Sequence, residues 1–169
     1  MTRTYDLEER KTAEQEYIDR IIRTVADKLG AGPDEIQDVS EDKRYFKKDI
    51  DVLIQDVSYE MKMDFYDSGF CFLEVISNSE SGALGWLFVS QAQYLVYAFP
   101  LLGKAYIADM KKLRDWFLEN IYWFVTTDKK RRVRTENDEG YSYYSFGYLA
   151  NLNELEREGI FKKFNLLPS

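Results

Sequence analysis

The sequence predicts a mixed α/β (α+β) fold in which helices flank a mixed central sheet in the order αβββαβ, and three observations carry that reading. Apolar residues at Tyr17, Ile18, Ile21, Ile22, Val25 and Leu29 recur at helical spacing. Between 49 and 77 the pattern changes to alternation and to β-branched, aromatic runs. Residues 104–124 switch back, with "KAYIADM" as a strand and Met110 to Phe124 as an amphipathic helix. A chain of 169 residues suits one domain, 1–169, with 125–169 as a C-terminal extension of it.

Taken in order, the first helix runs from Asp6 to Leu29 and stops at Gly30 and Gly32 ahead of Pro33. Residues 33–45 are polar and read as a turn with a short helical piece. Ile50, Val52 and Ile54 alternate along a strand over 49–54, "QDVS" turns the chain, and a second strand follows over 59–64. "FCFLEVIS", residues 70–77, is a third strand, and an antiparallel meander of the three is the most economical assembly. "NSESGALG" reads as a loop, "WLFVS" as a short strand, and Gln91 to Phe99 as a short helix stopped by Pro100. Asp109 suits the N-cap of the next helix, with Leu113, Trp116, Phe117 and Ile121 on its buried side. In the tail, "TTDKKRRVRTENDEG" is a charged loop or hairpin arm, and "YSYYSFGYLA" belongs to a strand edge. "NLNELEREGIF" is a short helix capped by Asn151 or Asn153.

Composition narrows the chemistry. The chain has no histidine and a single cysteine, Cys71, which removes imidazole bases, Ser-His and Cys-His nucleophile pairs, cysteine metal clusters and an internal disulfide. Carboxylates, amines, hydroxyls, amides and hard metal ions remain. The lone cysteine and the lack of an N-terminal apolar segment point to a cytoplasmic protein without a membrane partner. A net charge of -7 runs against broad attraction to nucleic acid, although acids gathered at a cation site depress that total without describing the remaining surface.

The acids concentrate in "DIDVLIQDVSYEMKMD", residues 49–64. If residues whose numbers sum to about 113 face one another, Asp51 lies opposite Lys62 and Leu53 opposite Glu60, all on one side of the hairpin. Two carboxylates so close repel and bury badly, but they form a natural pair of oxygen ligands for Mg²⁺. The Met61 carbonyl offers a further hard oxygen, and Lys62 is placed to orient a water or to stabilise charge on a phosphate.

Asp51 on the first strand with Glu60-Met61-Lys62 on the second, after a helix and before a third strand, a helix and a fourth strand, resembles the PD-(D/E)xK nuclease superfamily, with its restriction-endonuclease-like core. The resemblance covers roughly residues 8 to 124. "QYLVY", with Gln93 and Tyr97, is similar to the QxxxY motif of the recombination-exonuclease branch, and "YEMKMDFYDSGFCFLEVIS" is similar to small phage and bacterial members with an acid on the third strand, here Glu74.

The resemblance implies Mg²⁺-dependent hydrolysis of phosphodiester bonds in DNA, with Mn²⁺ as a substitute, by in-line attack that leaves 5′-phosphate ends. Asp51, Glu60 and the Met61 carbonyl would hold the metal, Lys62 would act on the water or the transition state, and Gln93 would assist. Glu74 is a candidate further ligand, as is a glutamate of the first helix, Glu14 or Glu16. The family often has a proline before the first acid. Lys48 and Asp49 stand ahead of Ile50 here, so Asp49 competes with the preferred Asp51.

For DNA contact the candidates are Lys130, Arg131, Arg132 and Arg134, beside Lys129 and the tyrosines 141, 143 and 144, together with Tyr97. Lys43, Arg44, Lys47 and Lys48 form a second basic group. A homodimer is the expected way for so small a nuclease to cut both strands, by fold-level analogy. The alternative is a nuclease-fold module without turnover that binds nucleic acid or a protein partner.

Overall fold

The computed structural model describes residues 7–136 and 139–169, with side chains from Ala13 onward. Asp6, where the first helix was expected to start, and positions 137 and 138 of the charged arm lie outside the described residues. Helix α1 (Leu7–Leu29) ends at Gly30, whose φ of 67° is the left-handed conformation that stops a helix. Strand β1 (Ile36–Asp38) and a one-turn helix α2 (Lys43–Phe46), capped by Asp42, fill the polar stretch that follows. Next come β2 (Val52–Ile54), β3 (Val57–Met63), β4 (Phe70–Asn78), β5 (Ala83–Leu84) and a short α3 (Trp86–Val89). β6 (Tyr94–Phe99) and β7 (Lys104–Asp109) lead into α4 (Met110–Glu119) and α5 (Ile121–Thr126). The tail forms β8 (Lys130–Glu136), β9 (Ser142–Asn151), α6 (Leu152–Arg157) and β10 (Lys162–Asn165).

These strands build two sheets. The central one is mixed, in the order β1-β2-β3-β6-β7-β10, with β3 and β6 parallel and the other neighbours antiparallel. The second, β5-β4-β9-β8, is antiparallel throughout. One face of the central sheet packs Val52, Ile54, Tyr59, Val96 and Ala98 against Ile21 and Val25 of α1. Its other face carries Leu95, Tyr97 and Phe99 into a larger core shared with Cys71 and Leu73 of β4 and with Leu113, Phe117 and Phe124 of the helices. The expected mixed sheet with flanking helices is therefore present. Among the described residues, no helix is long and apolar enough to cross a membrane.

Several local expectations need correction. The third strand does not complete a meander with β2 and β3; it crosses to the second sheet, where β9 is its long partner. Gln91 to Phe99 is not a helix, because Tyr94–Phe99 is a strand between two others with nearly every residue buried. A strand covered on both faces loses the alternation that would mark it. Conversely "WLFV" is helical rather than extended, held by Val89 and Ser90 N–H bonds to the carbonyls of Gly85 and Trp86. The helix from Met110 breaks at Asn120, and Ile121 ends up exposed rather than buried. Asp109 does cap α4, accepting from Lys112 N, and Asn151 caps α6.

The candidate hairpin turns on two residues, not four. Gln55 and Asp56 both have positive φ, 51° and 62°, the geometry of a tight turn that matches the twist of its strands. Val52 then pairs with Tyr59 and Leu53 with Ser58, which carries Asp51 towards Glu60 instead of Lys62. The shift is two residues, so side chains keep their faces.

A carboxylate and lysine pocket as candidate functional site

Strand pleating sends Tyr59, Met61 and Met63 towards α1, and Ser58, Glu60 and Lys62 to the opposite face. Glu60 is 1% exposed and forms an ion pair through Oε1 with Lys62 Nζ. Its other oxygen, Oε2, is buried with no hydrogen-bond partner. A buried carboxylate oxygen in that state is costly unless a proton or a cation binds it. Asp51 sits where β2 begins. Its N–H donates to the Tyr59 carbonyl at 3.0 Å, and its Oδ2 accepts from Met61 N at 2.8 Å, which fixes it beside Glu60.

Burial pushes the Glu60 carboxyl up to about 8, against the pull of Lys62 and with the help of the Asp51 charge. The Asp51 carboxyl is also raised by burial and by the Asp49 charge, with the Met61 N–H, Lys62 and a side-chain hydrogen bond shared with Glu60 opposing the shift. Burial works against the charge on Lys62, but the carboxylates of Glu60, Asp49 and Asp51 outweigh it and keep the ammonium above its ordinary range. Asp49 is thus part of the same electrostatic neighbourhood, held at φ 53° while its carbonyl accepts from Ser90 Oγ at 2.9 Å.

Glu74 comes from the second sheet. A register shift in β4 between Glu74 and Ile76 sits immediately beside it, a device that re-aims side chains near sites. Glu74 shares a cleft of about 200 Å³ with Lys62, Met63, Phe72, Trp86 and Tyr97, and its Oε1 accepts from Trp86 N at 3.4 Å. Burial raises its carboxyl too, against the Trp86 N–H and Lys62. Gly85 makes this approach possible: a Cβ there would lie 2.4 Å from the Glu74 carbonyl oxygen.

The remaining candidates divide. Tyr97 is buried, accepting from Phe72 N at 3.2 Å and donating to Asp64 Oδ2 at 3.3 Å, so it ties β6 to β4 and to the end of β3. Gln93 lies on the same face of the chain as Tyr97 but at the opposite end of β6, where its Oε1 accepts from Ser58 N at 3.1 Å. Glu16 lines a separate groove with Tyr17, Arg20 and Ile36; from α1, Gln15, Ile18 and Ile22 reach the cavity bordered by Asp51, Met61 and Met63. Arg44 is ion-paired to Asp42. The basic run forms the exposed strand β8, with Lys130, Arg132 and Arg134 on one face and Arg131 on the other. Phe72 and Trp86 are cleft residues that the motif reading missed. Phe72, two residues before Glu74 on a strand, was legible in principle by alternation.

Among the described residues, no three carboxylates or thiols stand together as a ready-made metal cage. Asp51 and Glu60 suit an ion that takes one or two carboxylates and completes its shell with water, a carbonyl and substrate oxygens, which is the habit of Mg²⁺. The chain matches no family model, no curated protein and no solved structure.

Proposed function

We propose that this chain is a Mg²⁺-dependent nuclease of the PD-(D/E)xK type that hydrolyses phosphodiester bonds in DNA. The observation that carries the reading is the buried Glu60 carboxylate, with one oxygen lacking any donor and the other on Lys62, beside an Asp51 carboxylate anchored to Met61 N. A purely structural hairpin gains little from two adjacent buried acids. A divalent ion bound there supplies Lewis acidity and a water of lowered pKa. Asp51 and Glu60 would hold it, with the Met61 carbonyl as neighbour.

The chain's own contribution is positional. Lys62 reaches from Glu60 into the cleft that Glu74 borders, so its ammonium stands where a phosphate oxygen would gather charge. Gln93 keeps the start of β3 on β6, and Tyr97 keeps its end on β4, which holds the wall and the hairpin in one frame. Both act as positioning residues. Pairing of two copies to cut both strands belongs to the same proposal.

The direct ion pair between Lys62 and Glu60 favours a second reading, a nuclease-fold module in which the lysine has become a permanent counter-ion and nucleic acid or a partner protein is bound without turnover. Purified protein incubated with linear, circular, single-stranded and branched DNA plus Mg²⁺ or Mn²⁺, beside Lys62→Ala, separates them. Cleavage by the wild type alone supports the nuclease. Intact DNA in every lane, or equal degradation by the variant, overturns it.

A further inference from the structure

The run "KKRRVR", residues 129–134, looks uniformly basic in sequence, yet the sheet sorts it by parity. Arg131 pairs with Gly147, and Gly147 with Glu74, so Glu74, Gly147 and Arg131 form one row across three strands on one face. In the next row Phe72 pairs with Leu149, whose N–H donates to the Lys129 carbonyl at 2.9 Å. Lys129 Nζ sits 5.0 Å from the centre of the Phe70 ring and 6.0 Å from that of Trp123 on α5, at the rim of the sheet. Phe70, Phe72 and Glu74 alternate along β4, and the last two line the cleft with Lys62. Arg131, and Lys129 beside Phe70, therefore extend the face that carries Phe72 and Glu74 beyond the cleft.

The even-numbered cations turn away. Lys130 lies 5.1 Å over Phe146 and Arg132 4.8 Å over Tyr144, on the face where Tyr148 packs against Phe117 and Phe124. They are more numerous, but they stand on the far side of the sheet from Glu74.

We infer that the cleft-side face of the second sheet is a track for an unpaired nucleic-acid strand, with Lys129 and Arg131 holding its phosphates and Phe70 and Phe72 offering ring faces to its bases. This rests on the nuclease reading, since it takes the pocket at Lys62 as the place where the scissile phosphate lies. Two strand spacings separate Glu74 from Arg131, about 10 Å, a reach of one or two nucleotides. Gly147 leaves the space between them to the Phe72 ring, 2.7 Å from where its Cβ would stand. Rings beside cations suit single strands, whose bases are free to stack, whereas a duplex presents only its backbone to such a surface. Arg131 now leans on the fully exposed Asp128 carboxylate, 3.5 Å away, and donates to the Lys130 and Asp128 carbonyls at 2.8 and 3.2 Å; these are exposed contacts that a phosphate can replace.

The test uses the parity. A fluorescein-labelled oligothymidylate is titrated in EDTA at several salt concentrations with the wild type, with Lys129→Gln/Arg131→Gln, and with Lys130→Gln/Arg132→Gln/Arg134→Gln. A parallel reaction in Mg²⁺ reads hydrolysis. The odd-numbered pair should lower the slope of log affinity against log salt by about 1.4, roughly 0.7 for each single-strand phosphate contact. The even-numbered triple should leave the slope unchanged although it removes more charge. A triple as damaging as the pair, an unchanged slope in the pair, or no binding by the wild type overturns the track. If the parity holds while the wild type hydrolyses nothing in Mg²⁺, the nuclease reading falls and the track stands.

Discussion

Two hairpins of this molecule are rich in charge, and they use it in opposite ways. β2–β3 draws Asp51, Glu60 and Lys62 inward, where burial raises both carboxyls, the acids keep Lys62 charged, and one carboxylate oxygen has no donor. β8–β9 keeps its cations at the surface, against aromatic rings or exposed acids such as Glu136. The same residue types are therefore energetically expensive in one place and nearly neutral in the other. Charges taken out of water interact strongly and must be matched, while exposed ones are screened and exchangeable. The first kind suits chemistry on a substrate, and the second suits reversible contact with one.

That contrast can be broken experimentally, beginning where the effect is greatest. If the proposed nuclease activity holds, Lys62→Ala should reduce DNA hydrolysis by at least about a hundredfold, the size expected for losing a charged group that stabilises the reacting phosphate; single-turnover cleavage rates check this. Gly85→Ala should come next, because its Cβ meets the Glu74 backbone, which cannot yield as a flexible side chain would. A cost of about 1–3 kcal/mol is expected, read as a lowered denaturant midpoint.

The buried carboxyl also predicts a pH effect. Glu60 has its folded pKa raised to about 8, above the unfolded value, so the folded state holds a proton that the unfolded state releases first. Stability of the ion-free protein should be greatest below about 4.5 as far as this group is concerned, and fall as pH rises towards 8, by at most about 1.4 kcal/mol per pH unit. Chemical denaturation across that range in EDTA reads it, and Glu60→Gln should flatten the decline. At the other extreme, Arg134→Ala on the exposed hairpin should change stability by less than about 0.5 kcal/mol, its ion pair with Glu136 at 3.4 Å being solvent-screened. A larger loss in thermal melts would mean that β8 is not the surface element described.

The clustering of Asp51, Glu60 and Lys62 was more legible in the sequence than the strand order around it. Alternation of Ile50, Val52 and Ile54 placed the acids on a hairpin, and Glu-x-Lys spacing put Glu60 and Lys62 on one face whatever the register. The register itself was off by two residues because Gln55 and Asp56 take left-handed conformations without the glycine or asparagine that usually signals such a turn. Gln93 and Tyr97 are four apart, a spacing that shares a face on a helix and equally on a strand, and only the surrounding sheet decides between them. The second sheet was hidden for a different reason. β4 pairs with β9, and Phe70 opposite Asn151 is a long-range choice that local pattern does not encode.

On the proposed function, the buried Asp51 and Glu60 form a divalent-cation site. Calorimetric titration of Mn²⁺ into the wild type, Asp51→Asn and Glu60→Gln, with folding of each verified by circular dichroism, tests it most directly. The wild type should show a saturable site that each substitution abolishes. Absence of binding, or binding that survives both substitutions unchanged, would contradict it.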